Sequence, residues 1–308
     1  MAALMIAYLY EFRETYSFPR AWVAVPLAVA AAWVGNGLRI AVLLLIGAYV
    51  DPTLARGAFH SKAGWVFFCA MALAAQVVIR KSSFVRRAGS REESGLDSEN
   101  PTAAYLVPML ALIAVGLVTG LFARELDLLY GARILVVAPL LWRYRRVYRA
   151  LVDQRRWIPF TIAVGFAVAA FWIVTAPNPE ADSTSRRLLS SLPPLQQWSW
   201  LLLRMLGTSL VVPCCEELAF RGYLLRRLVH SNFEAASWRV WTPLSLLVSS
   251  LAFGLGHARW VAASLAGACF AAVQIRRGSW FDALVAHVVT NTTIAAWVLA
   301  TGEWSLLK

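Results

Sequence analysis

Apolar runs of about 17–25 residues recur along the whole chain, and that is the length a helix needs to cross the hydrocarbon core of a bilayer. A spanning segment has no water to satisfy its backbone, so it must be a helix or a strand of a closed barrel. Barrel strands alternate apolar and polar residues, whereas these runs are continuously apolar. The 308 residues are 59% hydrophobic and only 15% charged, with a mean hydropathy of +0.60. A soluble domain of this size carries roughly a quarter charged residues. The pattern predicts an all-α, polytopic transmembrane helical bundle. Candidate spans fall near 21–50, 58–80, 103–122, 126–142, 157–176, 197–225, 241–257, 260–275 and 281–300, nine in all. Pro26, Pro139 and Pro213 lie inside spans and are expected to kink them.

The formal net charge is +12. It is concentrated in short blocks between spans: Arg80 to Arg91 after the second, Arg143 to Arg156 after the fourth, Arg226, Arg227 and Arg239 after the sixth, and Arg276 and Arg277 after the eighth. Basic exits at every second span place the N-terminus inside and the C-terminus outside. Anionic headgroups account for such blocks, and no groove-reading motif accompanies them, so nucleic acid is not the expected partner. Cys69, Cys214, Cys215 and Cys269 all lie in apolar runs without a C-x-x-C pair, which supports neither a disulfide frame nor a thiolate zinc site. Met1 to Arg20 is too polar for a cleavable signal peptide. The segment Ser82 to Thr102 has linker composition and sets the expected boundary between a unit at 1–100, with two spans, and a unit at 101–308. A second polar loop runs from Pro177 to Pro194.

Three apolar segments in the last third carry groups that membrane helices avoid: Glu216, Glu217 and Arg221, then His257, then His287 and Asn291. A charge near the bilayer centre is costly, and it normally faces a partner or a hydrated cavity. Glu217 and Arg221 stand four apart on one helix face, where carboxylate and guanidinium can pair, leaving Glu216 turned elsewhere. Phe253 and His257 share the same spacing, as do His287 and Asn291. Two acids, two imidazoles and an amide supply the parts for general-base hydrolysis, with a carboxylate deprotonating a water and donors meeting the oxyanion. His230 sits in a basic loop and is expected to be solvated.

The segments "EELAFR", "FGLGH" and "HVVTN" resemble, in order and internal spacing, the E-E-x-x-x-R, F-x-x-x-H and H-x-x-x-N motifs of the CPBP (Abi or CAAX-protease) intramembrane proteases, over roughly residues 103–300. The resemblance implies a helical chamber that hydrolyses peptide bonds near the bilayer. It makes Glu216 the water-activating base, His257 its partner on the water, and His287 with Asn291 the oxyanion hole, while Glu217 and Arg221 shape the site. Glu216, His257 and His287 also form a three-donor set that zinc could use, with an open position. No H-E-x-x-H is present and no carboxylate partner for either histidine is evident from the sequence, so the expectation is a metal-independent glutamate mechanism without cofactor.

The first unit contains Asn36 and Arg39 in "NGLRI" and His60 in "FHSKAGW". These are similar to the N-x-x-R-I and H-x-x-x-G-W elements of exosortases, membrane transpeptidases that use a cysteine with an arginine and a histidine. The cysteine should precede this region, yet the first in the chain is Cys69. The expectation is therefore an N-terminally shortened exosortase joined to a CPBP protease, with no complete transpeptidase site, and with Arg39 and His60 as relics or as partners of another chain's cysteine.

The functional expectation is an intramembrane endopeptidase of the bacterial inner membrane, multi-pass, whose substrates are membrane proteins or peptides bearing a C-terminal sorting tail. The alternatives are a zinc-dependent CAAX-type metalloprotease, a non-catalytic immunity or scaffold protein, and a proton or solute carrier. No matching halves or paired broken helices favour the carrier.

Overall fold

The computed structural model describes residues 1–49, 58–87, 101–123, 126–152, 159–176 and 183–307. They form helices α1 (Ala2–Glu11), α2 (Ala24–Tyr49), α3 (Ala58–Lys81), α4 (Pro101–Phe122), α5 (Gly131–Arg143), α6 (Arg145–Val152), α7 (Pro159–Val174), α8 (Ser183–Ser190), α9 (Pro194–Arg227), α10 (Pro243–Leu255), α11 (Trp260–Arg277) and α12 (Trp280–Thr301). The only pairing between extended residues among them is one bridge, Tyr16 to Arg86. The chain divides into two compact units, Met1–Asp97 with Leu117–Arg124, and Ser98–Gly116 with Glu125–Lys308.

Among the described residues, four helices are long and apolar enough to cross a membrane: Arg20–Tyr49, which contains α2, then Thr102–Phe122, Pro194–Arg227 and Trp280–Thr301. The protein is thus an all-helical, multi-pass membrane protein. Two of the nine expected spans are short. Helix α10 has 13 residues, about 20 Å at the α-helical rise, against a hydrocarbon core of about 30 Å. The fourth apolar run yields a helix only from Gly131, also of 13 residues. Their apolar side chains still face outward: Leu244, Leu247 and Leu255 of α10 and Leu135 of α5 are exposed, while α10 buries Ser245, Ser249 and Ser250. Three helices escaped the sequence reading: α1, inside the segment dismissed as too polar, α6, inside the basic block after the fourth run, and α8, inside the loop at 177–194. The rest of that loop to Asp182, the linker from 88 to 100, and Arg91, Arg155 and Arg156 lie outside the described residues.

In the first unit α1 packs on α2 and α3 through Met5, Leu9, Tyr16, Ala21, Ala24, Ala28, Ile79 and Val85. Arg39 reaches across from α2 to α3, and its guanidinium lies on Gly64, where any Cβ would collide with it. Its Nε is buried without a hydrogen-bond partner. Asn36 and Cys69 are exposed. His60 lies one turn before Gly64 in α3, and its side chain falls outside the described residues.

In the second unit, α7 lies along α12 at backbone contact. A Cβ on Gly165 would sit 2.7 Å from the Ala286 carbonyl oxygen, and the Thr290 hydroxyl meets the carbonyls of Gly165 and Ala286 at 2.9 Å each. Small residues permit such approach where the hydrophobic effect cannot drive helices together. Helix α10 starts with a capping box between Thr242 and Ser245, and α11 turns back on it. Helices α11 and α12 end at left-handed glycines, Gly278 (φ 71°) and Gly302 (φ 75°). Arg239 donates to the carbonyls of Ile275, Arg276 and Arg277, which satisfies the free end of α11.

Arg226 corrects one expectation. It was assigned to a basic exit facing headgroups, but it is 2% exposed and bonds to the carbonyls of Gly222, Glu234 and Ala236. It bolts the turn after α9 to the bundle. A basic residue next to a span is not necessarily a lipid contact.

Candidate functional site

Helix α9 supplies the acids, and it is not uniformly α-helical. Gly207–Val211 and Glu217–Leu224 are π-helical, separated by Val212–Glu216. The cause of the first widening is Pro213. The Val212 N–H bonds to the Gly207 carbonyl, the π register, so the donor due at the Thr208 carbonyl would be residue 213, which as proline has none. Asn291 of α12 fills that position, its Nδ2 donating to the Thr208 carbonyl at 2.9 Å. Such π segments concentrate at functional sites.

Directly after this widening come Glu216 and Glu217. Glu217 is fully buried and Arg221 is 1% exposed, with Nη1 to Oε1 at 3.2 Å. A buried charge pair needs further hydrogen bonds to offset desolvation. Arg221 Nη2 donates to the Gly267 carbonyl at 2.8 Å, and its guanidinium lies 4.3 Å over the Phe253 ring. His287 of α12 donates from Nδ1 to Glu217 Oε1 at 2.8 Å and stacks on Phe270 with centroids 4.5 Å apart. That bond turns its Nε2 toward Glu216 Oε2, 3.7 Å away. On the other side His257, just past α10, places Nε2 3.9 Å from Glu216 Oε1, while its Nδ1 donates to the Phe253 carbonyl at 3.0 Å. The carbonyl can only accept, so in neutral His257 the lone pair is on Nε2, facing Glu216.

The Glu216 carboxylate therefore lies between two imidazoles, and its Oε2 is buried without a hydrogen-bond partner. Glu216, His257, His287 and Asn291 line one cavity of about 380 Å³. The two imidazoles approach different oxygens of Glu216. Among the described residues, no three His, Cys, Asp or Glu side chains are grouped so as to hold a metal ion.

The motif residues all fall in one stretch that is recognisable by comparison. Residues 198–293 match the type II CAAX prenyl endopeptidase Rce1-like family, and residues 1–76 match the transmembrane exosortase (EpsH) family. The chain carries a CPBP-type intramembrane peptidase domain joined to an exosortase-like segment. No curated protein and no solved structure gives a significant match. The exosortase-like segment includes Arg39 and His60. The first of these is packed on α3 as described above.

Within the peptidase domain the structure brings together Glu216, Glu217, Arg221, Phe253, His257, His287 and Asn291. One statement from the sequence is corrected: a carboxylate does orient a histidine, because Glu217 holds His287. It went unseen because the two residues stand 70 positions apart. His230 is exposed and bonds only to its neighbour Asn232. The structure also adds Arg259 and Trp172. Arg259 donates to the Trp172 carbonyl at 2.8 Å and to the Thr175 hydroxyl at 2.6 Å, tying the short segment that carries His257 to the end of α7. The Trp172 ring meets His257 edge-on at 6.3 Å. An arginine two positions after a motif histidine carries no signal of its own.

Proposed function

We propose that this intramembrane endopeptidase hydrolyses its substrate with a water activated by Glu216, without a metal. The observation that carries the reading is the Glu216 carboxylate standing between the Nε2 atoms of His257 and His287 on the cavity wall. A water about 2.8 Å from both Glu216 Oε1 and His257 Nε2 fits their separation of 3.9 Å. Glu216 takes a proton from that water as its oxygen bonds to the scissile carbonyl carbon, and the carbonyl electron pair moves to oxygen. The negative oxygen is met by donors: the second Nδ2 proton of Asn291 and, when protonated, His287 Nε2. The proton on Glu216 then passes to the leaving nitrogen as the C–N bond breaks. Neither histidine needs a metal for these roles.

The substrates in this reading are membrane-associated proteins with a C-terminal sorting tail, one apolar helix followed by basic residues. The support is the exosortase-like segment on the same chain. The site of action is the bacterial inner membrane, where the bilayer surrounds both units. Cleavage of a tailed reporter by the wild type and its loss in Glu216→Ala, with unchanged melting, is the expected result. A Glu216→Ala chain that still complements a deletion would return the protein to an immunity or scaffold role, and one that still cleaves would take the role of base away from Glu216.

A further inference from the structure

The cavity that contains Glu216 has a second polar wall. Arg133 of α5 and Arg204 of α9 line it, and both lie over the ring of Tyr130, at 4.9 and 4.3 Å from its centroid. Resting on the proteolytic reading above, we propose that these arginines bind a carboxylate of the peptide substrate and so set which bond reaches Glu216.

Two guanidiniums on one ring repel each other, and the carboxylate close to them is Asp127, which pairs with Arg133 Nη2 at 2.8 Å. Among the described residues one positive charge is left over. Arg204 spends Nη2 on the Leu307 carbonyl, a neutral acceptor that leaves its charge in place. Arg133 Nε is buried with no hydrogen-bond partner. An excess guanidinium in an apolar span is costly unless an anion joins it, and a carboxylate accepts the arginine fork in two parallel bonds.

The wall is wired to the reaction centre. The Tyr130 hydroxyl bonds to Thr208 Oγ1 at 3.3 Å, and the Thr208 carbonyl takes the amide of Asn291. The Tyr130 ring also packs on Gly207, where any Cβ would meet it at 2.5 Å. A substrate anchored at the arginines is thus positioned against the elements that hold Asn291. A lipid headgroup is less well matched, because the arginines share one cavity with the catalytic groups. Arg133 and Tyr130 also lie outside the stretch that matches the endopeptidase family.

The test measures peptide binding to the full chain carrying Glu216→Gln, in a zwitterionic detergent, so that cleavage is not needed for the readout. Reporter peptides are compared in pairs differing by one carboxylate: an internal Glu against Gln, and a free C-terminus against its amide. One acidic member should bind about tenfold tighter or more than its neutral twin, as expected for a charge-assisted contact. The pair that responds tells a side chain from a chain end. Arg204→Gln and Arg133→Gln should each remove the preference while leaving the neutral peptide's affinity intact, which also shows that the variants fold. Arg204→Lys and Arg133→Lys should restore part of it. Equal binding of acid and neutral twins, or a preference that survives both glutamine variants, overturns the proposal. So does arginine-dependent binding of phosphatidylglycerol with no peptide preference, which would assign the wall to a headgroup. Cleavage of a neutral reporter by the wild type, lost in Glu216→Ala, separately reports whether the peptidase reading stands.

Discussion

His287 Nδ1 is bonded to Glu217 Oε1 at 2.8 Å, and that single contact decides where the opposite ring nitrogen points. The same oxygen of Glu217 also meets Arg221 at 3.2 Å, so one carboxylate links the two helices of the site. Glu217→Ala should leave the Arg221 guanidinium buried without its counter-charge, a change that costs about 3–5 kcal/mol. A fall in melting temperature together with loss of cleavage is the expected outcome. Glu217→Gln should keep an acceptor for His287 and lose less of both. Equal melting of Glu217→Ala and wild type would show that the pair contributes no stability.

Arg259 touches neither Glu216 nor His287, yet it anchors the segment bearing His257 through Trp172 and Thr175. Arg259→Ala should therefore lower kcat, on the order of tenfold to a hundredfold, because small misplacements of a reacting group are costly. KM should change little, and Arg259→Lys should recover part of the rate. A change confined to KM would mean that the residue contacts substrate instead.

Exhaustive chelation should leave peptidase activity intact if Glu216 alone activates the water, with His257 Nε2 3.9 Å from its Oε1. Activity that disappears on chelation and returns with added zinc would reverse the metal-independent mechanism. Metal content measured before and after treatment completes the comparison.

Gly165 is where α7 and α12 touch. Its missing side chain is essential, because a Cβ would lie 2.7 Å from the Ala286 carbonyl oxygen and 2.8 Å from Val289. Gly165→Ala should push the helices apart and cost about 1–3 kcal/mol, as overpacking does. Thermal unfolding in detergent measures it. The neighbouring Thr290→Val, which removes a hydroxyl bonded to two carbonyls, should add to the loss only partly, since both changes act on one contact.

The apolar runs were legible as helices because continuous hydrophobicity admits little else in a bilayer. They did not give helix length: α10 has only 13 residues, although its outward face carries Leu244, Leu247 and Leu255. The spacing of Glu217 and Arg221, four apart, made their pairing readable from one helix alone. Arg226 misled for the same reason: its charge was visible, but the three carbonyls that bury it come partly from beyond the helix end. Helix α1 was missed because its ten residues, apolar from Ala2 to Tyr10, are too few to span a bilayer.

The amino-acid order by itself determined the long apolar helices and which residues stand one turn apart, because helical periodicity is a property of neighbours along the chain. It also carried the three motifs, each confined to a single turn. Only the tertiary structure decided that Glu217 holds His287, that proline-driven widening of α9 leaves a carbonyl for Asn291, and that Arg133 and Arg204 share a cavity with Glu216. Those relations join residues far apart in the chain, and the contact between them is set by how whole helices pack, which no local pattern encodes.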